Sequence, residues 1–395
     1  MLLWGGRMRL LHTSDWHLGR TLHGEDLLPH SAVFLDWLLA VAREREVDAV
    51  VVAGDIYDRA VPSVDAVRLL DHTLCAFAQA KVPIVITGGN HDSPVRLGFA
   101  GALSEASGVH LRTAVDDIAR PVVVPDAFGD VAIYGVPYLL PDAVMRELEA
   151  ERSHSSVLAK AVERIRADAA MRGISRTVVV GHALVSGGQL SDSERDIRVG
   201  GIADVGAGVF AGFSYVALGH LHGQQGVHIG QGTTVVRYSG SPLPLSFSEK
   251  DQTKGVTMVE ISGNGTVSTE QLAAPAARPM REVKGELEDL LARAEHELAG
   301  LADAWVKVVL TDRVRPSSPM ERLRTKWPHT LVLDFAPEGG LVDDTADLER
   351  LAKATDPVEI CGLFVEFVSG EPPSDEHRAA LRAAVESAQR AEESE

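Results

Sequence analysis

The sequence predicts an α/β protein with a layered core, followed by a small α+β domain and a helical tail. Short β-branched apolar runs alternate with amphipathic stretches of helical spacing over the first part of the chain, an alternation typical of α/β layers. A Pro-containing linker at 272–279 is followed by a mixed pattern, and beyond Gly339 only helical patterns remain. We therefore predict domains over 1–275, 280–338 and 339–395.

Five apolar runs in the first domain predict β-strands that are buried on both faces. Apolar side chains occupy consecutive positions in these runs, as is typical of strands packed on both sides. The runs lie at 9–13, 47–53, 82–87, 177–180 and 215–218. Pro-rich and β-rich stretches at 121–137 and 227–261 predict additional, antiparallel strands in the later part of this domain.

Helices are predicted between these strands. Residues 31–45 and 157–170 place apolar side chains on one helical face. The stretch 62–78 has the same spacing and begins with Pro62, a residue that the first helical turn tolerates.

The second domain and the tail have their own signals. A helix is predicted over 286–301, strands over 305–310 and 331–335, and a turn over 316–319. In the tail, Asp356 is expected to cap a helix that has Pro357 at its first position and ends at Gly370. Residues 374–391 predict a second, Ala-rich helix.

Composition limits the classes of function. The chain has 395 residues and a formal net charge of −18, and such an acidic surface argues against non-specific coating of DNA or of anionic membranes. No stretch of about 18 uncharged apolar residues predicts a membrane span, and residues 1–7 are too short for the apolar region of a signal peptide. Cys75 and Cys361 are expected to be buried in a reducing compartment. We therefore expect a cytoplasmic protein.

Polar motifs follow the five predicted strands directly. The first three strands end in 14–17 (SDWH), 54–58 (GDIYD) and 88–92 (GGNHD). The last two end in 181–182 (GH) and 219–222 (GHLH). Because ligands of α/β sheets bind outside the carboxyl ends of the strands, five strand ends should deliver Asp, His and Asn side chains to one edge.

The spacing within two of these motifs favours metal binding. Asp15 and His17 are two residues apart, as are His220 and His222, and residues two apart in an extended chain point to the same side. Mixed imidazole, carboxylate and amide ligands suit manganese or iron, and zinc is also compatible with them. Two metals about 3.5–4 Å apart would form the clamp used for in-line phosphoryl displacement. His12, just before the first motif, is interpreted as an ordinary strand residue.

The ordered motifs DxH, GDxxD, GNHD, GH and GHxH resemble those of the calcineurin-like metallophosphoesterase superfamily. The stretches LLHTSDWHLGR, GDIYDRAVPS, YVALGHLH and YSGSPLPLSFSE are similar to the SbcD family of bacterial nuclease subunits, over about residues 8–275. This resemblance implies a two-layered β-sandwich flanked by helices, a small capping domain and a helical tail. It also implies a manganese-dependent exonuclease on duplex ends and endonuclease, acting in DNA repair, recombination and replication.

The resemblance implies a role for each residue that matches a motif. One metal would be held by Asp15, His17 and His222, the other by Asn90, His182 and His220, and Asp55 would bridge the two. His91 would stabilise or protonate the leaving oxygen, and its neighbour Asp92 would orient an imidazole. Asp58 stands where archaeal relatives have a histidine and other bacterial members an aspartate.

The metal site by itself does not select a substrate. Protein phosphatases resemble a GDxVDRG pattern followed by GNHE, whereas this chain reads GDIYDRA and GNHD. A phosphoesterase acting on cyclic nucleotides or small phosphate esters is the alternative, and a non-catalytic scaffold disagrees with the complete ligand set. Five basic side chains in loops are candidate phosphate contacts, although each also suits a solvated surface charge: Arg20, Arg96, Arg195, Arg198 and Lys250.

The resemblance also implies partners besides DNA. It implies a homodimer within a heterotetramer, together with an SbcC-type ATPase subunit that gates access to DNA. The helices after Gly339 are the expected docking element, with packing on the second domain as the alternative. Their apolar candidates are Leu351, Val358, Leu363, Phe364 and Phe367.

Overall fold

The computed structural model describes residues 7–194, 205–230, 232–275, 277–337, 350, 354, 356–369 and 372–392. The chain divides into two compact units, Met1–Ala277 and Arg278–Glu395. A separate third domain over 339–395 stays a prediction, since most of 338–355 lies outside the described residues.

The first unit alternates strands with helices. Its strands are β1 (Arg7–Thr13), β2 (Thr21–Leu22), β3 (Glu25–Asp26), β4 (Ala49–Ala53), β5 (Ile84–Thr87), β6 (Val109–Arg112), β7 (Val122–Asp126), β8 (Gly129–Val136), β9 (Arg176–His182), β10 (Tyr215–Gly219), β11 (Gln225–Val227), β12 (Val235–Tyr238), β13 (Gly255–Ser262) and β14 (Val267–Ala273). Its helices are α1 (Leu28–Glu44), α2 (Val64–Ala80), α3 (Pro94–Leu97), α4 (Gly101–Ser104), α5 (Pro141–Val144) and α6 (His154–Arg172).

These strands form two six-stranded sheets and a small hairpin of β2 and β3. The first sheet has the order β14-β13-β1-β4-β5-β6, and the second has the order β11-β12-β10-β9-β8-β7. The run β1-β4-β5-β6 is parallel, as are β8-β9 and β9-β10-β12. The predicted antiparallel strands are confirmed in the β7–β8 pair and in the pairing of β13 with β1 and β14.

Side-chain alternation explains why the predicted strands are apolar on consecutive positions. In β4, Val51 belongs to an apolar cluster that also includes Val180 of the second sheet. Its neighbour Val52 belongs to another cluster, with residues of α1 and α2. The opposite face of the second sheet packs with α6, where Val179 joins Val162. The predicted two-layered sandwich flanked by helices is therefore confirmed.

The helix boundaries follow local capping chemistry. In α6 the hydroxyl of Ser153 accepts a hydrogen bond from the Ser156 amide, and Gly173 ends the helix in the left-handed region. In α2 the hydroxyl of Ser63 caps the first turn. Pro62 therefore precedes the cap of this helix, and its expected place inside the first turn is wrong.

The second unit has a three-stranded parallel sheet and two helices over it. The strands are β15 (Met280–Gly285), β16 (Trp305–Leu310) and β17 (Thr330–Phe335), and the helices are α7 (Leu287–Arg293) and α8 (Pro319–Lys326). Leu290 and Trp327 are fully buried in its core. The helix predicted over 286–301 is too long, because α7 ends at Arg293 and a separate 3₁₀ turn forms at Ala299–Leu301.

The tail has two helices within its described part, α9 (Pro357–Ser369) and α10 (Asp375–Glu392). The predicted cap is confirmed, because the Asp356 carboxylate accepts a hydrogen bond from the Val358 amide at 3.0 Å. Gly339, Leu351 and Gly370 lie outside the described residues. Cys361 is half-buried and Cys75 is exposed, so the expected burial of both cysteines is wrong.

Over the part of the chain that is described, no helix is both long enough and apolar enough to span a bilayer. The cytoplasmic location stays a prediction.

Candidate metal centre

The polar motifs lie at the carboxyl ends of strands from both sheets. β1, β4 and β5 belong to the first sheet, and β9 and β10 belong to the second. The single edge expected from one open sheet is thus an edge shared by two stacked sheets. A Cβ atom on Gly219 at the end of β10 would lie 1.8 Å from the carbonyl oxygen of Ala53 at the end of β4. Only glycine permits this approach between the sheets.

The backbone is strained where the predicted ligands stand. Asp15, His17, Asp55 and His220 have φ angles of 53°, 43°, 50° and 104°. Residues with a Cβ atom rarely adopt positive φ, and each such residue costs about 1–3 kcal/mol. Two hydrogen bonds between the motif loops hold this geometry: the Asp15 amide donates to the Gly54 carbonyl and the His17 amide to the Asp55 carbonyl, both at 3.0 Å.

The first cluster consists of Asp15, His17 and His222, whose candidate ligand atoms lie within 4.8 Å of one another. The Nε2 atoms of His17 and His222 face each other at 3.2 Å. The Nδ1 atom of His17 lies 3.4 Å from a carboxylate oxygen of Asp58. A proton on this Nδ1 leaves a lone pair on Nε2, which is the atom directed into the cluster.

The second predicted ligand set is Asn90, His182 and His220, which we call the second cluster. The structure also groups His182 with Asp15 and Asp55, whose candidate ligand atoms lie within 4.8 Å of one another. The Nδ1 atom of His182 donates to the carbonyl of Ala53 at 2.9 Å, because a carbonyl only accepts. Its Nε2 atom lies 2.9 Å from Oδ1 of Asn90, an oxygen that also only accepts, so both ring nitrogens are placed as donors. A divalent ion at this place would replace the proton on Nε2. The His220 ring lies 5.4 Å from the His182 ring, and its buried Nε2 atom has no hydrogen-bond partner among the described residues.

Asp55 lies between the two clusters. Its Oδ2 atom is 3.5 Å from Nε2 of His17 and 3.5 Å from Nε2 of His182. Its Oδ1 atom accepts a hydrogen bond from the backbone amide of His91 at 2.9 Å. A Cβ atom on Gly89 would lie 2.1 Å from this Oδ1 atom, so the GGNHD loop can approach Asp55 only with glycine at that position.

Electrostatics and burial are consistent with divalent metal ions at this place. Burial raises the pKa of Asp15 to about 6. Burial lowers the pKa of His17 to about 4 and that of His220 to about 3, so both imidazoles are neutral near pH 7. Burial alone would raise the pKa of Asp55, but the surrounding imidazoles lower it below its ordinary value. The neutral imidazoles of His17 and His220, the carboxylates and the amide oxygen of Asn90 form a donor set that suits divalent ions.

His91 lies beside the first cluster and not within it. Its ring centroid is 4.7 Å from that of His17. Its Nδ1 atom donates to the backbone carbonyl of Asp58 at 2.7 Å. This bond keeps the Nδ1 proton in place, so Nε2 is the nitrogen that can exchange a proton. His17, Asp58 and His91 also form a group close enough to hold an ion, so the structure permits both uses of His91.

Asp92 lies beneath the loops and contacts their backbone. Its carboxylate accepts three amide hydrogen bonds at 2.8–3.0 Å, from Ile56, Tyr57 and Gly89. Burial and the nearby Asp55 raise the pKa of Asp92 to about 6, against the effect of these amides. Asp92 thus holds two motif loops together through their backbone amides. The expected contact between Asp92 and an imidazole is not among these hydrogen bonds.

Asp58 and Arg20 form an ion pair at the rim of the site, with Nη1 of Arg20 3.0 Å from Oδ1 of Asp58. Burial would raise the pKa of Asp58, but contacts with His17 and Arg20 lower it to about 2. Asp58 thus touches two residues of the site, a position that the motif spacing alone does not reveal.

Two of the remaining candidate phosphate contacts, Arg96 and Lys250, lie in the described part of the chain and have different partners. Arg96 is exposed and donates to the Ala60 carbonyl at 3.2 Å. Lys250 lies 3.2 Å from a carboxylate oxygen of Asp251. Arg195 and Arg198 lie outside the described residues.

Four polar residues contact His222 or lie close to it but could not be predicted as site residues from the sequence: Ser193, Glu194, Glu249 and Lys254. The Glu194 carboxylate accepts a hydrogen bond from the His222 amide at 2.8 Å, and Glu249 is a fully buried carboxylate. The one sequence signal is that Glu249 ends the stretch YSGSPLPLSFSE, which carries part of the family resemblance.

Comparison with protein families identifies both units of the chain. A family model described as calcineurin-like phosphoesterase matches residues 8–224. A second model, SbcD_C, described as the C-terminal domain of a type 5 capsule protein repressor, matches residues 276–368.

The chain is also similar to several solved structures. The protein TT1561 of Thermus thermophilus is 14% identical, with a TM-score of 0.41, covering 67% of this chain and 99% of that one. The calcineurin-like phosphoesterase YfkN of Bacillus subtilis is 12% identical, with a TM-score of 0.39, covering 68% and 90%. A dimetal phosphatase from Danio rerio is 14% identical, with a TM-score of 0.41, covering 67% and 99%.

Proposed function

This chain belongs to the calcineurin-like phosphoesterase family, and from that premise we propose that it is the nuclease subunit of an SbcCD-type complex. The family makes it a metal-dependent hydrolase of phosphoesters. The proposal adds DNA as the substrate, manganese as the metal, and DNA repair and recombination as the setting.

One observation carries the choice of substrate. The second unit matches the SbcD_C model over residues 276–368, while the motif stretches of the first unit resemble the same family of nuclease subunits. Two independent parts of the chain therefore support the same assignment, which neither cyclic-nucleotide nor small-ester hydrolysis explains.

The geometry of the centre supports a two-metal reaction. Asp15, His17 and His222 would hold one ion, and Asn90, His182 and His220 the other, with Asp55 between them. When bound, two divalent ions acidify a water molecule and neutralise the charge of the phosphate. Asp92 holds the two loops that carry Asp55 and His91 in register, through backbone hydrogen bonds.

His91 is the candidate for proton transfer to the leaving oxygen. Its Nδ1 proton is held by the carbonyl of Asp58. The reactive proton is therefore carried on Nε2, and it is present when the imidazole is doubly protonated. The same backbone contact fixes the ring orientation, so the proton is presented in one direction.

An exposed apolar patch supports the proposed homodimer. Val95, Phe99 and Leu103 are 81–84% exposed on and beside the short helices α3 and α4. Val61 is 69% exposed in the preceding motif loop, and Arg96 bonds to the carbonyl of its neighbour Ala60. We call Val61, Val95, Phe99 and Leu103 the apolar patch. Large exposed apolar groups close together in the chain mark candidate protein interfaces.

The decisive assay is manganese-dependent degradation of linear duplex DNA by the full-length protein, with and without an SbcC-type ATPase. We expect cleavage with Mn²⁺, none after chelation, and stimulation by the ATPase. Asp15→Asn should abolish cleavage, whereas the matched surface variant Asp65→Asn should not. Hydrolysis of a cyclic nucleotide without DNA cleavage would replace this proposal by the small-ester alternative.

The tail is the proposed docking element for the ATPase. Phe364 on α9 is 63% exposed and Ile360 is 38% exposed, which offers apolar surface to a partner coiled coil. Deleting residues 339–395 should abolish co-purification of the ATPase while cleavage of short DNA continues. Retained binding by the deletion variant would place the interface elsewhere.

A further inference from the structure

A buried carboxylate lies behind the predicted metal ligand His222. Glu249 is 1% exposed, at the end of the 3₁₀ turn Phe247–Glu249. Its Oε2 atom lies 2.5 Å from Nζ of Lys254 and accepts a hydrogen bond from the Leu245 amide at 3.1 Å. Because the Lys254 ammonium and the Leu245 amide both face this carboxylate, Glu249 is an ionised group that can only accept hydrogen bonds.

Ser193 connects this carboxylate to the imidazole. The Ser193 hydroxyl donates to Oε1 of Glu249, and its oxygen lies 2.5 Å from Nδ1 of His222. The direct distance from Nδ1 of His222 to Oε1 of Glu249 is 3.7 Å, which is too long for a hydrogen bond. The hydroxyl therefore fills the space between the two groups.

The number of available protons determines which group donates in each of the two hydrogen bonds, Ser193 to Glu249 and His222 to Ser193. A serine hydroxyl has one proton, and an ionised carboxylate cannot supply one. Because Ser193 donates its proton to Glu249, its oxygen accepts the proton on Nδ1 of His222. His222 then has a lone pair on Nε2, which is the nitrogen that faces His17 at 3.2 Å.

Lys254 and Glu194 hold the backbone around His222. The Lys254 ammonium donates to the His222 carbonyl at 2.9 Å, and the Glu194 carboxylate accepts from the His222 amide at 2.8 Å. The hydrogen bonds through Ser193 thus hold the His222 side chain, while Lys254 and Glu194 hold its backbone.

We infer that Ser193 and Glu249 are positioning residues, which select the tautomer and ring orientation of His222 that can bind a divalent metal. This inference rests on the proposed function only in taking His222 as a metal ligand. Contacts of this kind behind a ligand typically change metal affinity by about 10–100-fold.

The test measures metal binding by the full-length protein, with Mn²⁺ followed by electron paramagnetic resonance and Co²⁺ by its visible absorption. Ser193→Ala should weaken one of the two sites by about 10–100-fold and change the Co²⁺ spectrum. Ser193→Thr keeps the hydroxyl and should restore both readouts. The matched control is Ser248→Ala, since Ser248 is exposed in the neighbouring turn and bonds only to Asp192 and Ser246 among the described residues.

Glu249→Gln provides a second, independent variant. A glutamine amide can donate to Ser193 and so reverse the chain, which would place the His222 proton on Nε2 and weaken the same site. In the double variant with Ser193→Ala, the two losses of metal affinity should not add, because both residues act on His222 through the same hydrogen bonds. Additive losses would contradict the positioning role of these hydrogen bonds.

The two proposals fail in different ways. Two normal sites and a wild-type Co²⁺ spectrum in Ser193→Ala would overturn the positioning role, whatever the enzyme does to DNA. Normal metal binding by the wild type, a weakened site in Ser193→Ala and no DNA cleavage would leave the positioning role standing and reject the nuclease proposal. A wild type that binds neither ion would reject both.

Discussion

Three imidazoles at the candidate centre, those of His91, His182 and His222, are oriented by a hydrogen bond on the ring nitrogen that faces away from it. His182 donates to the Ala53 carbonyl, His91 to the Asp58 carbonyl, and His17 lies beside the Asp58 carboxylate. The far nitrogen of His222 meets Ser193. Since one ring nitrogen holds the proton, the other is left as a lone pair or a proton-exchange site. These three imidazoles are therefore oriented by hydrogen bonds before any metal ion binds.

His91→Ala should lower DNA cleavage by about 10²–10⁴-fold, the usual contribution of a positioned acid or base, while both metals remain bound. The reason is that His91 lies beside the first cluster and contacts Asp55 only through its backbone amide. Metal stoichiometry and cleavage rate are measured on the same sample, with exposed His72→Ala as the control. Loss of a metal along with activity would make His91 a ligand and remove its assignment as the acid.

Asp55→Ala should remove both metals together. The Oδ2 atom of Asp55 lies 3.5 Å from an imidazole of each cluster, so its loss leaves two incomplete sites. Metal content after gel filtration provides the measurement, with Asp65→Ala on the exposed face of α2 as the control. A variant that keeps one metal at full occupancy would show that Asp55 serves only one site.

At the scale of elements, the site depends on how closely strand ends of different sheets approach. A Cβ atom on Gly219 would overlap the Ala53 carbonyl, and one on Gly54 would lie 2.4 Å from Nδ1 of His182. Backbone atoms and a buried ring cannot move away cheaply, since interiors are close-packed. The glycines of the motifs are thus required by packing between β4, β9 and β10.

Gly219→Ala should destabilise the protein by about 1–3 kcal/mol or more, as overpacked sites do, and should weaken metal binding. Gly208→Ala is the matched control, because a Cβ atom there meets nothing within 4 Å. Thermal unfolding of the metal-free proteins is the measurement. Equal melting temperatures for the two variants would show that the two sheets can separate at this point without cost.

A second element-level feature is the ion pair that connects the turn after α4 to β6. The fully buried guanidinium of Arg112 bonds to both carboxylate oxygens of Glu105, at 2.9 and 2.8 Å. These bonds lower the pKa of Glu105 to about 2 from an ordinary value of 4.5. A depressed folded-state pKa contributes stability that is complete above pH 4.5 and is lost as the pH falls towards 2.

Glu105→Gln should therefore destabilise the protein at pH 7 by about 1–2 kcal/mol, a value reduced by solvent screening because Glu105 is itself partly exposed. The difference from the wild type should shrink as the pH is lowered through 4.5. Denaturant unfolding at several pH values tests this, with Glu297→Gln in an exposed pair with Arg293 as the control. A difference that grows on acidification would contradict the assignment.

At the scale of the whole molecule, the net charge of −18 limits how this protein meets DNA. Non-specific affinity for phosphates needs a basic surface. Of the described candidates, Arg20 and Lys250 are each paired with an aspartate and Arg96 bonds to a backbone carbonyl. Two divalent ions would concentrate positive charge at the centre instead. We expect the proposed ATPase partner to supply most of the grip on DNA.

The proposed homodimer is tested by Phe99→Glu. A buried charge in the apolar patch should cost about 2 kcal/mol or more, which is roughly a thirtyfold weaker dimer. Analytical ultracentrifugation measures the mass, and Met171→Glu is the matched control, since Met171 is 80% exposed on α6, outside the patch. A monomeric wild type, or a dimer unchanged by Phe99→Glu, would reject this interface.

The five strands that end in polar motifs could be predicted from the sequence, together with the residues at their ends. These features are local, because strand burial appears as consecutive apolar residues and the polar motifs follow these runs directly. Seven predicted ligands could therefore be placed at strand ends without coordinates: Asp15, His17, Asp55, Asn90, His182, His220 and His222. The extended chain assumed for the i, i+2 pairs is wrong, since Asp15, His17 and His220 have positive φ angles. Helix limits were less certain, as α7 shows, because apolar spacing continues past the residue where the helix ends.

How these residues meet depends on contacts between distant parts of the chain. Stacking of two sheets, and not one open edge, brings the ends of β9 and β10 onto those of β1, β4 and β5. The partners of His222 come from 29 residues upstream, at Ser193, and from another loop at Glu249. Contacts between residues so far apart produce no repeating pattern of residue types in the sequence. The proton positions that prepare the imidazoles depend on these long-range hydrogen bonds, so they became visible only when the chain was folded.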